Sequence, residues 1–270
     1  MSGHSNPPER IASVEANGLA IGYSMRGSGP PLILIHGAEA DREMFSAFGA
    51  KMAARFTVIA YDQRDSGSTR DLTEPPRSYG LADMADDAAG LIKALGYSKV
   101  HVFGTSLGGH IAQVLAARHP ECIDRLILSS TWLAGQGLMA ASQKAAEKLM
   151  AWRSDVAQHA ADIASMFFSA DYLRGHPEQI DMFRGGRRTI EQMERRAKLL
   201  GVPYPIQEGE ISAPTLLVMG DQDGLIPNPT TMAVTIILRE PQVNVLANIG
   251  HIAAIEAPDE LAAVVTEFLS

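Results

Sequence analysis

The chain has 270 residues, 46% of them hydrophobic, which is enough apolar material for one large core. Its formal net charge of −8 argues against a nucleic-acid partner, because phosphate binding needs a clustered basic surface. No apolar stretch approaches the roughly 20 residues that span a bilayer, and Met1 to Arg10 lack the apolar centre of a secretory signal. We therefore expect a cytoplasmic protein with no membrane partner.

Eight strands are predicted along the chain, and the first two form a hairpin. Ile11–Ala16 and Leu19–Met25 flank Asn17-Gly18, a strong signal for a two-residue turn. The later strands are short and apolar throughout, as expected for a parallel sheet buried on both faces. They are Leu32–Ile35, Phe56–Ala60, Val100–Phe103, Leu126–Ser129, Thr215–Met219 and Val243–Leu246.

The clearest helical pattern runs from Tyr79 to Leu95, where Ser78 can cap the start and Gly96 ends the helix. Between Thr131 and Ile211 the alternation of strands and helices breaks, and the sequence is helix-prone throughout. We interpret residues 133–210 as a helical lid between two parts of an α/β core, residues 1–132 and 211–270.

A serine flanked by glycines follows the predicted strand Val100–Phe103 and precedes a helix-like stretch. The sequence there is Gly104-Thr105-Ser106-Leu107-Gly108. The motif is weak alone, but a strand before it and a helix after it are typical of a nucleophile elbow. Such a turn lifts the hydroxyl clear of the sheet, and the helix start directs N–H groups at developing negative charge. Ser106 is therefore the predicted nucleophile.

An acid and then a histidine are expected downstream of such a serine. The strand Thr215–Met219 ends in a polar turn that contains Asp221 and Asp223. We favour Asp223 as the orienting acid, and we expect Asp221 to bond its own turn. His251 lies in the loop after the last predicted strand, before the helix that Pro258 opens, and is the predicted general base.

Other chemistry finds little support in the sequence. No Cys/His cluster has metal-site spacing, and no glycine-rich loop has a dinucleotide fingerprint, so we expect no metal and no cofactor. The single cysteine, Cys122, excludes an internal disulfide. His110 follows the elbow on its helix, and we expect it to pack rather than to react.

These motifs together resemble those of α/β-hydrolase fold enzymes along nearly the whole chain. His36-Gly37 after the strand Leu32–Ile35 matches the oxyanion-loop signature of that family. The stretch from Tyr61 to Gly67 lies where the family has a turn of the type D-x-R-G-x-G-x-S.

The resemblance implies an α/β fold with a mostly parallel eight-stranded sheet flanked by helices. A helical lid would be inserted after the sixth strand. It also implies a catalytic triad of Ser106, Asp223 and His251. The backbone N–H groups of Ala38 and Leu107 would form the oxyanion hole, and His36 would hold its loop in place.

Two acidic residues depart from the family pattern near the site. Asp65 stands where the family has glycine, and Glu39 follows the oxyanion residue Ala38. We expect each to be solvated or paired with an arginine, Arg64 or Arg42 being close in sequence. The alternative is a pocket wall that repels anionic substrates.

The lid sequence is rich in aromatic, methionine and arginine residues. Trp152, Phe167 and Phe168 are the predicted substrate-binding residues, together with adaptable methionines. The alternative is that these residues fill the lid's own core. A basic group is expected to form a solvated helix face, with a carboxylate clamp as the alternative; it comprises Arg184, Arg187, Arg188, Arg195 and Arg196.

The predicted function is hydrolysis of a small carboxylic ester or lactone through an acyl-serine intermediate. Within the family, the turn and the lid resemble those of small esterases, enol-lactone hydrolases and anthracycline methylesterases more than those of lipases. Two alternatives stay open: carbon–carbon bond hydrolysis of a diketone-like ring-cleavage product, which uses the same triad, and ligand binding without turnover. The expected partner is the small-molecule substrate, and a homodimer is left open.

Overall fold

A computed structural model of the protein describes residues 9–74, 76–185 and 188–270. Its nine strands within these ranges join in one sheet. The strands are β1 (Arg10–Ala16), β2 (Leu19–Arg26), β3 (Pro31–Ile35), β4 (Thr57–Tyr61), β5 (Arg70–Asp71), β6 (Val100–Thr105), β7 (Ile123–Ser129), β8 (Thr215–Gly220) and β9 (Gln242–Leu246).

The helices of the described residues lie between and after these strands. They are α1 (Ser46–Met52), α2 (Leu81–Ala94), α3 (Leu107–Arg118), α4 (Leu138–Ala141), α5 (Gln143–Arg153), α6 (Val156–Phe167), α7 (Ala170–Gly175), α8 (Ile190–Gly201), α9 (Asn228–Met232), α10 (Ala253–Glu256) and α11 (Pro258–Leu269). Short 3-10 helices cover Arg42–Phe45, Pro120–Cys122, Pro177–Phe183 and Ala233–Ile237.

The sheet has the order β1-β2-β4-β3-β6-β7-β8-β9, with β5 beside β2. Strand β2 pairs antiparallel with β1, β4 and β5. All the other neighbouring pairs, from β4 and β3 across to β9, are parallel. Asn17 and Gly18 both have positive φ, 52° and 76°, as the predicted hairpin requires. All eight predicted strands are confirmed. The two-residue β5 escaped prediction because two residues show no periodicity.

The sheet is covered by helices on both faces, and the strand sequences explain how. In β3, Ile33 and Ile35 face a cluster that includes α2 and α3, whereas Leu32 and Leu34 face a second cluster with α1 and α11. Alternate residues of a strand point to opposite faces, so a strand apolar at every position feeds two cores.

Helix α2 begins two residues later than the sequence pattern predicts. Its N-cap is Gly80, whose N–H donates to Asp83 Oδ2 at 2.7 Å, and Ser78 does not cap it. The Asp83 side chain satisfies the N–H of the N-cap residue, whereas glycine has no side chain that could accept an N–H of the first turn. Gly96 has φ of 83° just beyond the end, as predicted.

Between β7 and β8 the described residues form the helices α4 to α8 and connecting loops, with one isolated β-bridge from Ile211 to Leu238. β7 is the sixth of the predicted strands, so the position of the predicted lid agrees with the structure. Because β3, β6, β8 and β9 run parallel, the loops after their carboxyl ends meet at one edge of the sheet. Those loops contain His36, Ser106, Asp223 and His251.

Candidate active site

Ser106 occupies the turn between β6 and α3. Its backbone has φ of 54° and ψ of −124°, a conformation that costs an L-residue on the order of 1–3 kcal/mol. The Ser106 N–H donates to Ser129 O at 3.0 Å, and Ser106 O accepts from the His110 N–H at 3.1 Å. The neighbouring strand and the first turn of the helix therefore hold the strained residue in place.

The glycines on either side of Ser106 are required by close backbone approaches. A Cβ at Gly104 would lie 2.4 Å from Gly108 O, and a Cβ at Gly108 would lie 2.0 Å from Ile35 O. Both distances are far below van der Waals contact with backbone atoms that cannot move freely. Glycine at both positions therefore relieves the crowding across this turn.

His251 and Asp223 form a buried pair beside this edge of the sheet. His251 Nδ1 lies 2.8 Å from Asp223 Oδ2, and the two residues are 2% and 8% exposed. The other carboxylate oxygen, Oδ1, accepts the N–H groups of Leu225 at 2.9 Å and Ile226 at 2.7 Å. Because a carboxylate only accepts hydrogen bonds, Nδ1 carries the shared proton, and Nε2 is left as the proton-accepting nitrogen.

Asp221 is placed differently from Asp223 and from our expectation. Its Oδ1 accepts the N–H of Asn248 at 2.7 Å, and the side chain is exposed. The expected bond to its own turn is therefore replaced by a bond to the loop that leads to His251. Asp223, rather than Asp221, contacts the histidine.

The free nitrogen of His251 is the unusual feature of the pair. Nε2 is buried and has no hydrogen-bond partner among the described residues. The Ser106 hydroxyl makes no hydrogen bond to it in this arrangement. Buried polar atoms are normally satisfied, so this nitrogen is available to a group that completes the site.

The backbone of His251 is fixed by the lid as well as by the core. Its N–H donates to Phe167 O at 2.8 Å, a carbonyl that the C-terminal end of α6 leaves unpaired. The carboxylate of Glu256 accepts the N–H of Gly250 at 3.0 Å and that of Ser169 at 3.2 Å. Sequence reasoning missed Glu256, because nothing in its local pattern indicates these partners.

The loop after β3 lies against Ser106. A Cβ built at Gly37 would lie 3.5 Å from Ser106 Cβ and 3.9 Å from its Oγ. The N–H groups of Ala38 and Leu107 donate no hydrogen bond within the described residues. Both donors are therefore free for a ligand next to the hydroxyl.

His36 holds this loop, as the resemblance to the α/β-hydrolase fold enzymes implies. The ring is fully buried; Nδ1 contacts Gly37 O at 2.8 Å, and Nε2 accepts the Gln63 N–H at 3.2 Å. Burial lowers the pKa of His36 well below its usual range, and the positive charge of Arg196 lowers it further. The neutral ring donates from Nδ1 and accepts at Nε2, so it links the loop to the turn after β4.

Asp65 is paired with an arginine, as expected, but not with a sequence neighbour. Its carboxylate accepts from Arg195 at 2.7 Å through both Nε and Nη2, and from the Tyr79 hydroxyl at 2.8 Å. Arg64 instead pairs with Asp87, and Arg42 pairs with Asp62. Glu39, the second acidic residue, pairs with Arg153 of the lid.

The predicted solvated face of basic residues is wrong for three members, one of which is Arg195, paired with Asp65. Arg196 is only 3% exposed, and Arg188 is half-buried against the turn. Arg188 donates to Asp65 O at 2.6 Å, to Glu39 O at 3.0 Å and to Ser66 Oγ at 2.8 Å. These donors are occupied by the protein, which argues against a substrate carboxylate clamp at Arg188. Arg187 lies outside the described residues.

The three lid aromatics predicted to bind substrate lie in different surroundings. The ring of Phe167 is half-buried, edge-on to His251 with centroids 5.4 Å apart. Phe168 is 1% exposed and stacks on Tyr172, so no substrate reaches it in this arrangement. Trp152 is half-buried and stacks on His159 at 6.2 Å. Only Phe167 of the three is seen in contact with a candidate catalytic residue.

The lid methionines neither fill a core nor line the site as a group. Met139, Met150, Met182 and Met193 of this segment are well exposed, whereas Met166 is buried. Among the described residues, no group of three His, Cys, Asp or Glu side chains could hold a metal ion. No helix of the described residues has the length and apolarity to cross a membrane.

The sequence profile of the alpha/beta hydrolase fold matches residues 30–258. The chain therefore belongs to the α/β-hydrolase fold family and is a hydrolase of that fold.

Particular relatives extend this similarity over most of the chain. It is 26% identical over 227 residues to a putative carbamate hydrolase RutD of Yersinia enterocolitica, across 81% of this chain and 79% of the relative. It is 27% identical over 268 residues to the pyrrolizixenacetamide deacetylase of Xenorhabdus hominickii, across 95% and 97%. The solved structure of a thermophilic esterase from Thermogutta terrifontis aligns with a TM-score of 0.78 and 25% identity, across 97% of this chain and 98% of that one.

Proposed function

We propose that the protein hydrolyses a small carboxylic ester or lactone through an acyl-serine intermediate on Ser106. The observation that carries the proposal is the buried Asp223–His251 pair, 2.8 Å apart, with Nε2 unpartnered at the same sheet edge as a strained serine. An activated nucleophile needs a base in reach and an acid that orients the base. Ser106 would supply the nucleophile, His251 the base and Asp223 the orienting acid.

The reaction would proceed in two halves. Ser106 Oγ attacks the acyl carbon while its proton moves to His251 Nε2, and the carbonyl electrons form an oxyanion. The free N–H groups of Ala38 and Leu107 would bind that oxyanion. Collapse of the intermediate breaks the ester bond, and the leaving alkoxide takes the proton from Nε2. Water then attacks the acyl-serine by the same route and releases the acid, so the chemistry needs no cofactor.

Two features support small substrates with an apolar acyl part. Phe167 places an aromatic ring edge-on to His251, where an acyl or alcohol group would pass. The relatives bear the names putative carbamate hydrolase and deacetylase, and an esterase is among the structural neighbours. Turnover measurements decide whether the leaving group is an alcohol, the nitrogen of a carbamate or the nitrogen of an amide.

The proposal is tested with purified protein, an organophosphonate probe and a panel of substrates. The probe should add its mass to the peptide that contains Ser106, and Ser106→Ala should lower turnover by on the order of 10⁶ without loss of fold. The panel comprises acetate to hexanoate esters, a lactone, a carbamate, an amide and a vinylogous diketone. Labelling at another residue, or near wild-type activity of Ser106→Ala, would refute the nucleophile.

Each panel outcome has a distinct meaning. Preferred turnover of esters and lactones supports the proposal. Turnover of the diketone alone would reassign the protein to carbon–carbon bond hydrolysis. Stabilisation by these compounds without any turnover would indicate a ligand-binding protein.

A further inference from the structure

Arg196 belongs to the lid helix α8, yet its guanidinium is buried against the loop after β3. Nε donates to Ala38 O at 2.9 Å, Nη1 to Arg64 O at 2.8 Å, and Nη2 to Gln63 Oε1 at 3.0 Å and to Gly37 O at 3.4 Å. It forms no ion pair with a carboxylate among the described residues. A buried cation held by neutral oxygens is costly in stability, so its contacts point to another role.

One of those contacts helps to hold the Gly37–Ala38 peptide group, and another holds the peptide group that follows it. In a planar trans peptide the C=O and N–H bonds point in opposite directions. Gly37 O is held by His36 Nδ1 at 2.8 Å and by Arg196 Nη2, and the next carbonyl, Ala38 O, is held by Arg196 Nε. The Ala38 N–H is therefore directed away from the side of the loop on which His36 and Arg196 bind the carbonyl groups.

The free N–H lies on the part of the loop that borders Ser106. A Cβ built at Gly37 would lie 3.9 Å from Ser106 Oγ, and the Ala38 N–H has no acceptor within the described residues. Arg188 binds the next two carbonyls, Glu39 O and Ala40 O, so the loop is held by lid arginines along consecutive residues.

We infer that Arg196 is a positioning residue for acyl transfer, holding the Gly37–Ala38 peptide so that the Ala38 N–H faces the oxyanion formed at Ser106. The inference rests on the proposed function. Arg196 touches neither Ser106 nor the scissile bond, and it acts through the peptide. Because Arg196 comes from α8, the oxyanion hole is complete only while this helix is docked on the loop.

The test compares Arg196→Met and Arg196→Lys with Arg195→Met, a matched control. Arg195 is the adjacent residue of the same helix, but it binds Asp65 rather than the loop. Arg196→Met should lower kcat by roughly 10²–10³-fold, as on loss of one oxyanion donor, with KM changed less than about threefold. The lysine retains charge and some donors, so Arg196→Lys should recover part of the loss. Arg195→Met should stay within about threefold of wild type.

A crystal structure of each variant supplies a readout that does not depend on activity. The Gly37–Ala38 peptide should be rotated or show two orientations in the Arg196 variants, and should keep its orientation in Arg195→Met. The inference would be overturned if the peptide kept its orientation in both Arg196 variants. It would also be overturned if the loss of activity came from KM alone, or only from a smaller amount of folded protein. Failure of wild type to react with the phosphonate at Ser106 would instead refute the proposed function, while the peptide orientation still decides whether Arg196 sets the loop.

Discussion

The Asp223→Asn variant tests whether Asp223 is the acid that orients His251. The hydrogen bonds of Asp223 determine which nitrogen of His251 carries the proton. Asp223 Oδ1 accepts two backbone N–H groups, from Leu225 and Ile226, and an amide NH₂ at that position could accept neither. Loss of two such bonds costs about 2 kcal/mol, so the amide oxygen of the asparagine stays there. Its NH₂ group is then forced toward His251 Nδ1.

The consequence for His251 is a change of tautomer. Nδ1 must accept from the asparagine NH₂ group, so the ring proton moves to Nε2, the atom that would take the proton from Ser106. Substitution of the orienting acid by its amide costs about 10⁴ in kcat in triads of this type, or roughly 5 kcal/mol of transition-state stabilisation. Stability should change far less, because asparagine has the same shape and keeps the Oδ1 bonds.

The assay is steady-state hydrolysis of a p-nitrophenyl acetate probe by wild type, Asp223→Asn and Asp221→Asn, with urea unfolding of all three. The Asp221 carboxylate is exposed and accepts, among the described residues, one hydrogen bond, from the Asn248 N–H. Asp221→Asn should therefore keep kcat within about threefold and lower the free energy of unfolding by roughly 1 kcal/mol. A kcat for Asp223→Asn within tenfold of wild type would refute the tautomer argument. Greater loss in Asp221→Asn would move the acid to that residue.

His110 provides one independent test, and the lid residues Phe167 and Phe168 provide another. Burial lowers the pKa of His110 to about 4. The unfolded chain therefore binds this proton first as the pH falls, and the free energy of unfolding should drop by about 3 kcal/mol between pH 6.5 and 4. His110→Phe should remove that part of the drop in urea unfolding, and equal drops in both proteins would contradict it. Phe167→Ala should lower kcat/KM for longer acyl esters several-fold per methylene and spare acetate. Phe168→Ala should instead lower the free energy of unfolding by about 3–5 kcal/mol without changing acyl preference. The reverse pattern in ester kinetics and unfolding would place Phe168, not Phe167, at the substrate.

Local sequence patterns were sufficient for every described strand except β5, for the elbow and for the order of the candidate triad. A strand that is apolar at every position must be buried on both faces, and glycines around Ser106 indicate a turn too tight for Cβ atoms. Asp223 and His251 were predictable because each follows a strand whose carboxyl end lies at the same sheet edge. These features depend on backbone geometry within a few residues.

Partners across the fold were decided by the tertiary structure alone. Asp65 has Arg64 beside it in sequence, yet it pairs with Arg195, which is 130 residues away. Arg195 and Arg196 are neighbours of one type on one helix, but only Arg196 is buried, because α8 docks that side on the loop after β3. Phe167 and Phe168 diverge in the same way, since consecutive residues at the end of α6 point to different surroundings. A charge or an aromatic ring indicates what a residue can bind, whereas the path of the chain determines what lies within reach.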